Sequence, residues 1–283
     1  MRVVKAVILL ILLTCPWTLC RGQVSFSSVG GERGYAAMRG HAKLDLDNGF
    51  VLLPSVGYYR RSDSDEDQEE ASMKVAFSTR YEITDNFSIV GGASYVPRRM
   101  GFKSVSYGLG GHYELCYRCL GLKKPFIEGT IGQRRYNIQA YSNGSYRPNA
   151  FKTFSTAASM MTGAEWKNFF LQARYDKVIK YSDNPPQGVD SNWTDIPFMT
   201  AVVRGFVRDV AAARLSYRTP WVTPYAVYAR YKYLDNSDYT VSVAGGVSVR
   251  WDRSTISGGV EVFEQNHRAS RKTYFSLEAS TEF

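Results

Sequence analysis

The sequence predicts an all-β protein, an antiparallel up-and-down β-barrel of about 12 strands that crosses a membrane, with about 14 strands as the alternative. Three observations predict it. From residue 50 to the end, segments of 10–14 residues alternate apolar with small or polar side chains. The connections between them alternate between short turns and longer polar loops. The composition favours strands and turns, with 20 Tyr, 15 Phe and 24 Gly among 283 residues.

The chain begins with the pattern of a signal peptide, expected over 1–22. Arg2 and Lys5 form a basic start, 7–13 is an uninterrupted apolar run, and Cys20 and Gly22 place small residues before a cut ahead of Gln23. The apolar run is too short for a membrane helix, which needs roughly 20 residues. A lipoprotein signal is the rival reading for Cys15 and Cys20, but Thr14 and Leu19 precede them where such signals prefer Gly, Ala or Ser.

Residues 23–48 form a second region. Gly30-Gly31 and Asp47-Asn48-Gly49 mark turns. The stretch 35–46 reads as a hairpin arm, a lumen plug or a lead-in. A further strand over 24–29 would raise the total to fourteen.

The barrel is expected over 49–283. Its twelve segments fall near 50–60, 71–83, 87–97, 103–115, 125–138, 152–164, 168–181, 198–218, 221–233, 239–250, 254–264 and 271–283. In the last, Thr273, Phe275, Leu277, Ala279, Thr281 and Phe283 share one face and Lys272, Tyr274, Ser276, Glu278, Ser280 and Glu282 the other. Segment 198–218 keeps its alternation throughout and reads as one long strand. The turns near 84–86, 165–168, 220 and 251–253 are short, whereas 62–70, 141–150 and 182–197 are long and polar. That asymmetry is the mark of a membrane barrel with turns in the periplasm and loops outside. A soluble β-sandwich or lipocalin-like barrel is the alternative, but it would turn its apolar face inward and need bulky residues there. Here the polar face carries many charges and the apolar face carries Tyr, Phe and Trp near segment ends, like an aromatic girdle. The mean hydropathy of −0.28 fits a barrel whose inner face is polar.

With its signal peptide, its alternating segments and the ending Tyr274-Phe275-Ser276-Leu277-Glu278-Ala279-Ser280-Thr281-Glu282-Phe283, the chain resembles bacterial outer-membrane β-barrel proteins in general. The resemblance implies an outer-membrane location and contacts with outer-membrane lipids and lipopolysaccharide. It also implies recognition of Phe275, Leu277 and Phe283 by the outer-membrane assembly machinery. It indicates no specific functional family.

Loss of Arg2, Lys5 and Arg21 with the signal lowers the formal charge from +9 to +6. No basic run or helix accompanies it, so nucleic acid is not an expected partner. Oligomeric state stays open. Cys116 and Cys119 are expected to form a local disulfide across a periplasmic turn, because His112 is the one nearby candidate to complete a metal site. The acidic run of Asp63, Asp65, Glu66, Asp67, Glu69 and Glu70 reads as a solvated loop, with cation bridging to lipopolysaccharide as its alternative.

No catalytic residue and no cofactor is expected. Ser142-Asn143-Gly144 matches part of the motif of the outer-membrane phospholipase family. Ala140 stands where that motif needs its histidine, and a serine without a base is not an activated nucleophile. His41, His112 and His267 lack paired carboxylates at telling spacing.

The polar face is the informative surface. Thirteen bases, Lys74, Arg80, Arg134, Arg174 and Lys180 among them, oppose eight acids that include Glu128, Asp176 and Glu261. Arg204, Arg208, Arg214, Arg218, Arg230, Lys232 and Arg250 form the expected basic wall of the lumen, provided that Val203, Gly205, Val207, Tyr217, Tyr231 and Val249 point outward. Such a wall favours a narrow, porin-like passage for small solutes with anion bias. The alternatives are a closed structural or adhesive barrel working through its loops and, further off, a lipid-acting enzyme.

Overall fold

The computed structural model describes residues 21–31, 35–46, 48–62, 69–99, 101–115, 121–142, 145–183, 185, 192–234, 238–264 and 270–283. Fourteen strands close on themselves. They are β1 (Arg21–Gly31), β2 (Ala36–Asp45), β3 (Phe50–Ser62), β4 (Glu69–Thr84), β5 (Phe87–Arg99), β6 (Phe102–Glu114), β7 (Lys123–Ser142), β8 (Ser145–Trp166), β9 (Phe169–Tyr181), β12 (Val207–Tyr217), β13 (Val222–Tyr233), β14 (Tyr239–Trp251), β15 (Ser254–Phe263) and β16 (Lys272–Glu282). Two short strands, β10 (Trp193–Asp195) and β11 (Val202–Arg204), pair only with each other. Every pair of barrel neighbours is antiparallel, and all are consecutive in sequence except β1 with β16 and β9 with β12.

The count is fourteen, the alternative that the sequence offered to about twelve. Residues 23–48 supply most of β1 and β2, so they are wall and not lead-in, arm or plug. Val24 and Phe26 face out and Ser25 and Ser27 are buried inside, which continues the period-two pattern. Gly22 and Phe283 exchange backbone hydrogen bonds of 3.1 and 2.9 Å, and this pair joins the first strand to the last. Full closure leaves no unpaired edge, which is the condition for a sheet to sit in hydrocarbon.

The outward face carries the large exposed apolar side chains: Leu109, Ile131, Met160, Leu171, Ile179, Ile256, Phe275 and Leu277 are each more than half exposed. At the end where strands join by short turns, Trp166, Trp221, Trp251, Phe169 and Tyr217 ring the barrel. Lipid-interface girdles have this aromatic character.

Segment 198–218 is not one strand. Gly205 has a φ of +104°, a conformation open to glycine at little cost, and the chain turns there. Val202–Arg204 belongs to β11 and Val207–Tyr217 to β12. Residues 1–20, Cys116, Cys119, Asn143, Gly144, His267 and Asp63, Asp65, Glu66 and Asp67 lie outside the described residues.

Candidate functional site

The lumen is filled on one side and open on the other. After β9 the chain folds back inside the barrel, and 192–206 packs there as an insert. Asn192 and Gly205 close its base: the Gly205 N–H donates to the Asn192 carbonyl at 2.8 Å, and the Asn192 amide returns a bond of 3.1 Å to the Gly205 carbonyl. Val202 and Val203 are fully buried, and Trp193, Ile196, Met199 and Ala201 join them against the inner faces of β1, β3, β13, β15 and β16. Burying an aliphatic side chain of this size contributes roughly 1.5–3 kcal/mol.

Directional contacts fix the insert. The Tyr35 hydroxyl accepts from the Val202 N–H at 3.0 Å and lies 3.3 Å from the Val202 carbonyl, to which it donates. Burial pushes that phenol above its ordinary range, so the donor proton stays in place. Trp193 stacks on Tyr59 with ring centroids 5.7 Å apart. The carboxylate of Glu261, on β15, accepts the N–H groups of Thr200 at 3.0 Å and Ala201 at 2.8 Å. On the opposite edge Asp195 meets Lys74 of β4 and lies 2.9 Å from Arg39 of β2. The Lys74 contact is a hydrogen bond. The Arg39 guanidinium sits off the hydrogen-bonding line, so its contact is electrostatic.

Between this insert and the inner faces of β4–β9 lies a cavity of about 590 Å³. Ser78, Ser94, Ser106, Thr130, Ser155 and Ser159 line it with hydroxyls and small side chains. Lys74, Arg80, Arg134 and Arg174 bring positive charge, and Glu128, Asp176 and Asp195 negative charge. Most of these are paired. Arg80 donates to Glu128 at 3.0 Å, with His112 3.1 Å from the same carboxylate oxygen, and Arg174 donates to Asp176 at 2.8 Å. Arg134 makes no ion pair among the described residues, so the cavity keeps a positive bias. Toward the loop end, Phe206 meets Tyr136 edge-on at 5.2 Å, with Phe102 and Tyr181 beside it. An aromatic roof thus lies over a charged chamber.

The seven residues expected to form one basic wall are dispersed. Arg204 is on β11, buried, with its guanidinium over Trp193. Arg208 sits at a bulge, lines the cavity and is 3.6 Å from Asp209. Arg214 is on the lumen side, over the Tyr225 ring. Arg218 is in a turn and donates to Glu165 at 2.9 Å. Arg250 faces inward at the turn end, 3.7 Å from Glu282. Arg230 and Lys232 point outward, not into the lumen, because Tyr228 is 49% exposed and Tyr231 is fully buried. Lys180, also expected inside, pairs in register with Thr156 and is exposed on the outer wall.

The sequence reading missed Asp195, Tyr35 and the aromatic anchor Trp193. A tryptophan, an aspartate and the unbroken apolar run 201–203 inside a long polar connection were the available signal. Phe275 and Leu277 lie on the outer face of β16, and Phe283, one residue past its end, is also exposed. Among the described residues no group of His, Cys, Asp and Glu is arranged to hold a metal.

No family model and no curated protein matches the sequence. Solved structures do resemble the fold. CdiB from Acinetobacter baumannii superposes with a TM-score of 0.54 at 7% identity over 94% of this chain. This chain spans 60% of the length of CdiB. The CymD monoaromatic hydrocarbon channel superposes with a TM-score of 0.51 at 12% identity, covering 94% of this chain and 88% of CymD. At such identities the likeness is one of fold, and the chain has the fold of the outer-membrane β-barrel proteins.

Proposed function

We propose that the protein is an outer-membrane barrel that passes small polar solutes through a narrow, half-plugged lumen with weak preference for anions. The observation that carries this reading is the chamber of about 590 Å³ between the insert and β4–β9, whose walls are hydroxyls and charges. A barrel packed shut would bury those ions, and an ion taken from water costs several kcal/mol unless fully paired. Arg134 beside the paired groups supplies the anion bias. The charged lining of the chamber suits hydrated solutes better than an aromatic hydrocarbon.

Passage of solutes requires neither a nucleophile nor a cofactor. Liposome swelling tests the reading. Vesicles carrying the refolded protein should swell in small sugars and amino acids, faster for anionic than for cationic amino acids of equal size, and not in a solute too large for the chamber. Swelling equal to that of empty vesicles for every solute would reject it.

A further inference from the structure

The strand register gives the outer wall a second feature that solute passage does not use. On β7, Arg135 pairs with Val105 of β6 and Phe154 of β8, both of which are exposed on the outer face, so Arg135 faces out. Lys103 is two residues above Val105, with its ammonium 5.5 Å from the outward Tyr95 ring. Lys152 is two residues above Phe154 and pairs with Asn137. On β9, Lys180 pairs with Thr156, again on the outer face. Four adjacent strands therefore carry an unbroken row of bases near their loop ends. On the neighbouring β12 the outward carboxylate is Asp209, which accepts from the Tyr175 hydroxyl at 3.3 Å. Beyond it, outward Arg230 of β13 lies over the Tyr239 ring.

Height decides what this row meets. Phe154 and Trp166 both face out on β8, twelve residues apart. At about 3.3 Å per residue and a tilt of about 40° they stand roughly 30 Å apart along the barrel axis, the thickness of a hydrocarbon core. Lys152 lies just past the Phe154 edge, at headgroup level. The other edge is aromatic instead, with Lys167 close to Trp166 in a turn. Bases on hydrocarbon would cost roughly 2–4 kcal/mol each at mid-membrane, but near the interface the cost falls to about 0–1. The row therefore sits where it is tolerated, on the side of the loops, and on one leaflet only.

We propose that this row, centred on Lys103, Arg135 and Lys152, is a binding site for the phosphates of a glycolipid of the outer leaflet, lipid A. The assignment rests on the outer-membrane reading given above. Lipid A presents phosphate groups on a rigid disaccharide directly above its acyl chains. Arg135 offers a planar fork to phosphate oxygens, and the flanking lysines supply point charges. Phe154, Val105 and Tyr107 beneath them supply an apolar wall for the chains.

The test uses the folded, detergent-solubilised barrel titrated with bis-phosphorylated lipid A and followed by native mass spectrometry. The wild type should hold lipid A through purification-grade dilution. The triple variant Lys103→Gln, Arg135→Gln, Lys152→Gln should bind roughly tenfold more weakly or worse, as loss of charge-assisted bonds implies. Lys167→Gln, at the opposite edge, should bind as the wild type does. Lipid A stripped of its phosphates should bind the wild type no better than intact lipid A binds the triple variant. Equal binding by the triple variant overturns the proposal, as does displacement of lipid A by equimolar phosphatidylglycerol or by inorganic phosphate. Heat-modifiable migration reports whether the triple variant has folded. If it has not, Lys152→Gln alone should still weaken binding, and unchanged affinity overturns the site. Conductance in the triple variant should remain that of the wild type, so a failed lipid site and a failed channel give different results.

Discussion

The Arg39 guanidinium on β2 and the Asp195 carboxylate on β10 lie 2.9 Å apart inside the lumen, and Lys74 of β4 holds the same carboxylate from the other side. This three-residue contact binds the polar edge of the insert to the barrel wall. Asp195→Asn should loosen it. Breaking a fully buried pair costs about 3–5 kcal/mol, but the Asp195 side chain is 39% exposed to the lumen, so a loss of about 1–2 kcal/mol is expected. Urea unfolding in detergent checks the stability, and proteolysis within 185–192 should accelerate.

The same carboxylate sets a pH response. Burial opposes its charge, yet Lys74 and Arg39 hold it well below the ordinary carboxylate range. A depressed folded pKa gives stability that is present above the unfolded value and lost only as pH falls through the folded one. The Asp195 contact should therefore persist from pH 8 down through about pH 4, where exposed carboxylates titrate, and fail only in stronger acid. Protease sensitivity of the insert against pH measures this. A transition centred at the ordinary carboxylate pKa would contradict it.

Glu261 is the counterpart on the apolar side. Its buried carboxylate accepts two consecutive backbone N–H groups, from Thr200 and Ala201. Glu261→Gln keeps one good acceptor and turns the other into a donor facing an N–H. A loss of about 1–3 kcal/mol is expected, with faster amide exchange at 200 and 201 and little change elsewhere.

Phe206 packs against Tyr136, Phe102 and Tyr181 at the loop end of the lumen. Phe206→Ala should raise conductance while leaving the Asp195 contact intact, and should cost about 3 kcal/mol through the cavity it leaves. Unchanged conductance would show that the roof does not restrict the path.

Facing on β13 is checked with single cysteines. Tyr228→Cys should be quenched by a lipid-phase nitroxide through an attached fluorophore, and Ala229→Cys should not. That strand shows why part of the fold was legible in the sequence and part was not. On β14 and β16 the lumen side is polar, so alternation named the outward set correctly. On β13 the inner residues Val227, Ala229, Tyr231 and Tyr233 are as apolar as the outer ones because they pack on the insert. Period two remained visible, but its phase did not. In β2 the short side chains of Ala37, Gly40 and Ala42 flattened the contrast between faces, which hid a wall strand. The insert was illegible for a tertiary reason, since the wall partners of Trp193 and Asp195, namely Tyr35, Tyr59, Arg39 and Lys74, lie more than a hundred residues away. The cavity bases Lys74, Arg80, Arg134 and Arg174 were readable because their strands face water inside and lipid outside.

The disulfide expected between Cys116 and Cys119 is checked by mass spectrometry without reductant, where two free thiols would contradict it. The start of the mature chain is checked the same way. A chain beginning at Gln23 loses the Gly22–Phe283 pair but keeps the register from Gln23 with Glu282 to Gly31 with Tyr274. Deleting Phe283 should therefore slow assembly more than it destabilises the finished barrel.

The claim that the half-plugged lumen conducts is tested most directly by single-channel recording in planar bilayers, comparing the wild type with Arg134→Glu. The wild type should show small, discrete openings with a reversal potential shifted modestly toward anions in a salt gradient. Arg134→Glu should conduct with that shift abolished or reversed. An absence of openings in wild-type protein shown to be folded and inserted would mean that the chamber leads nowhere, and conductance with selectivity untouched by Arg134→Glu would place the path elsewhere.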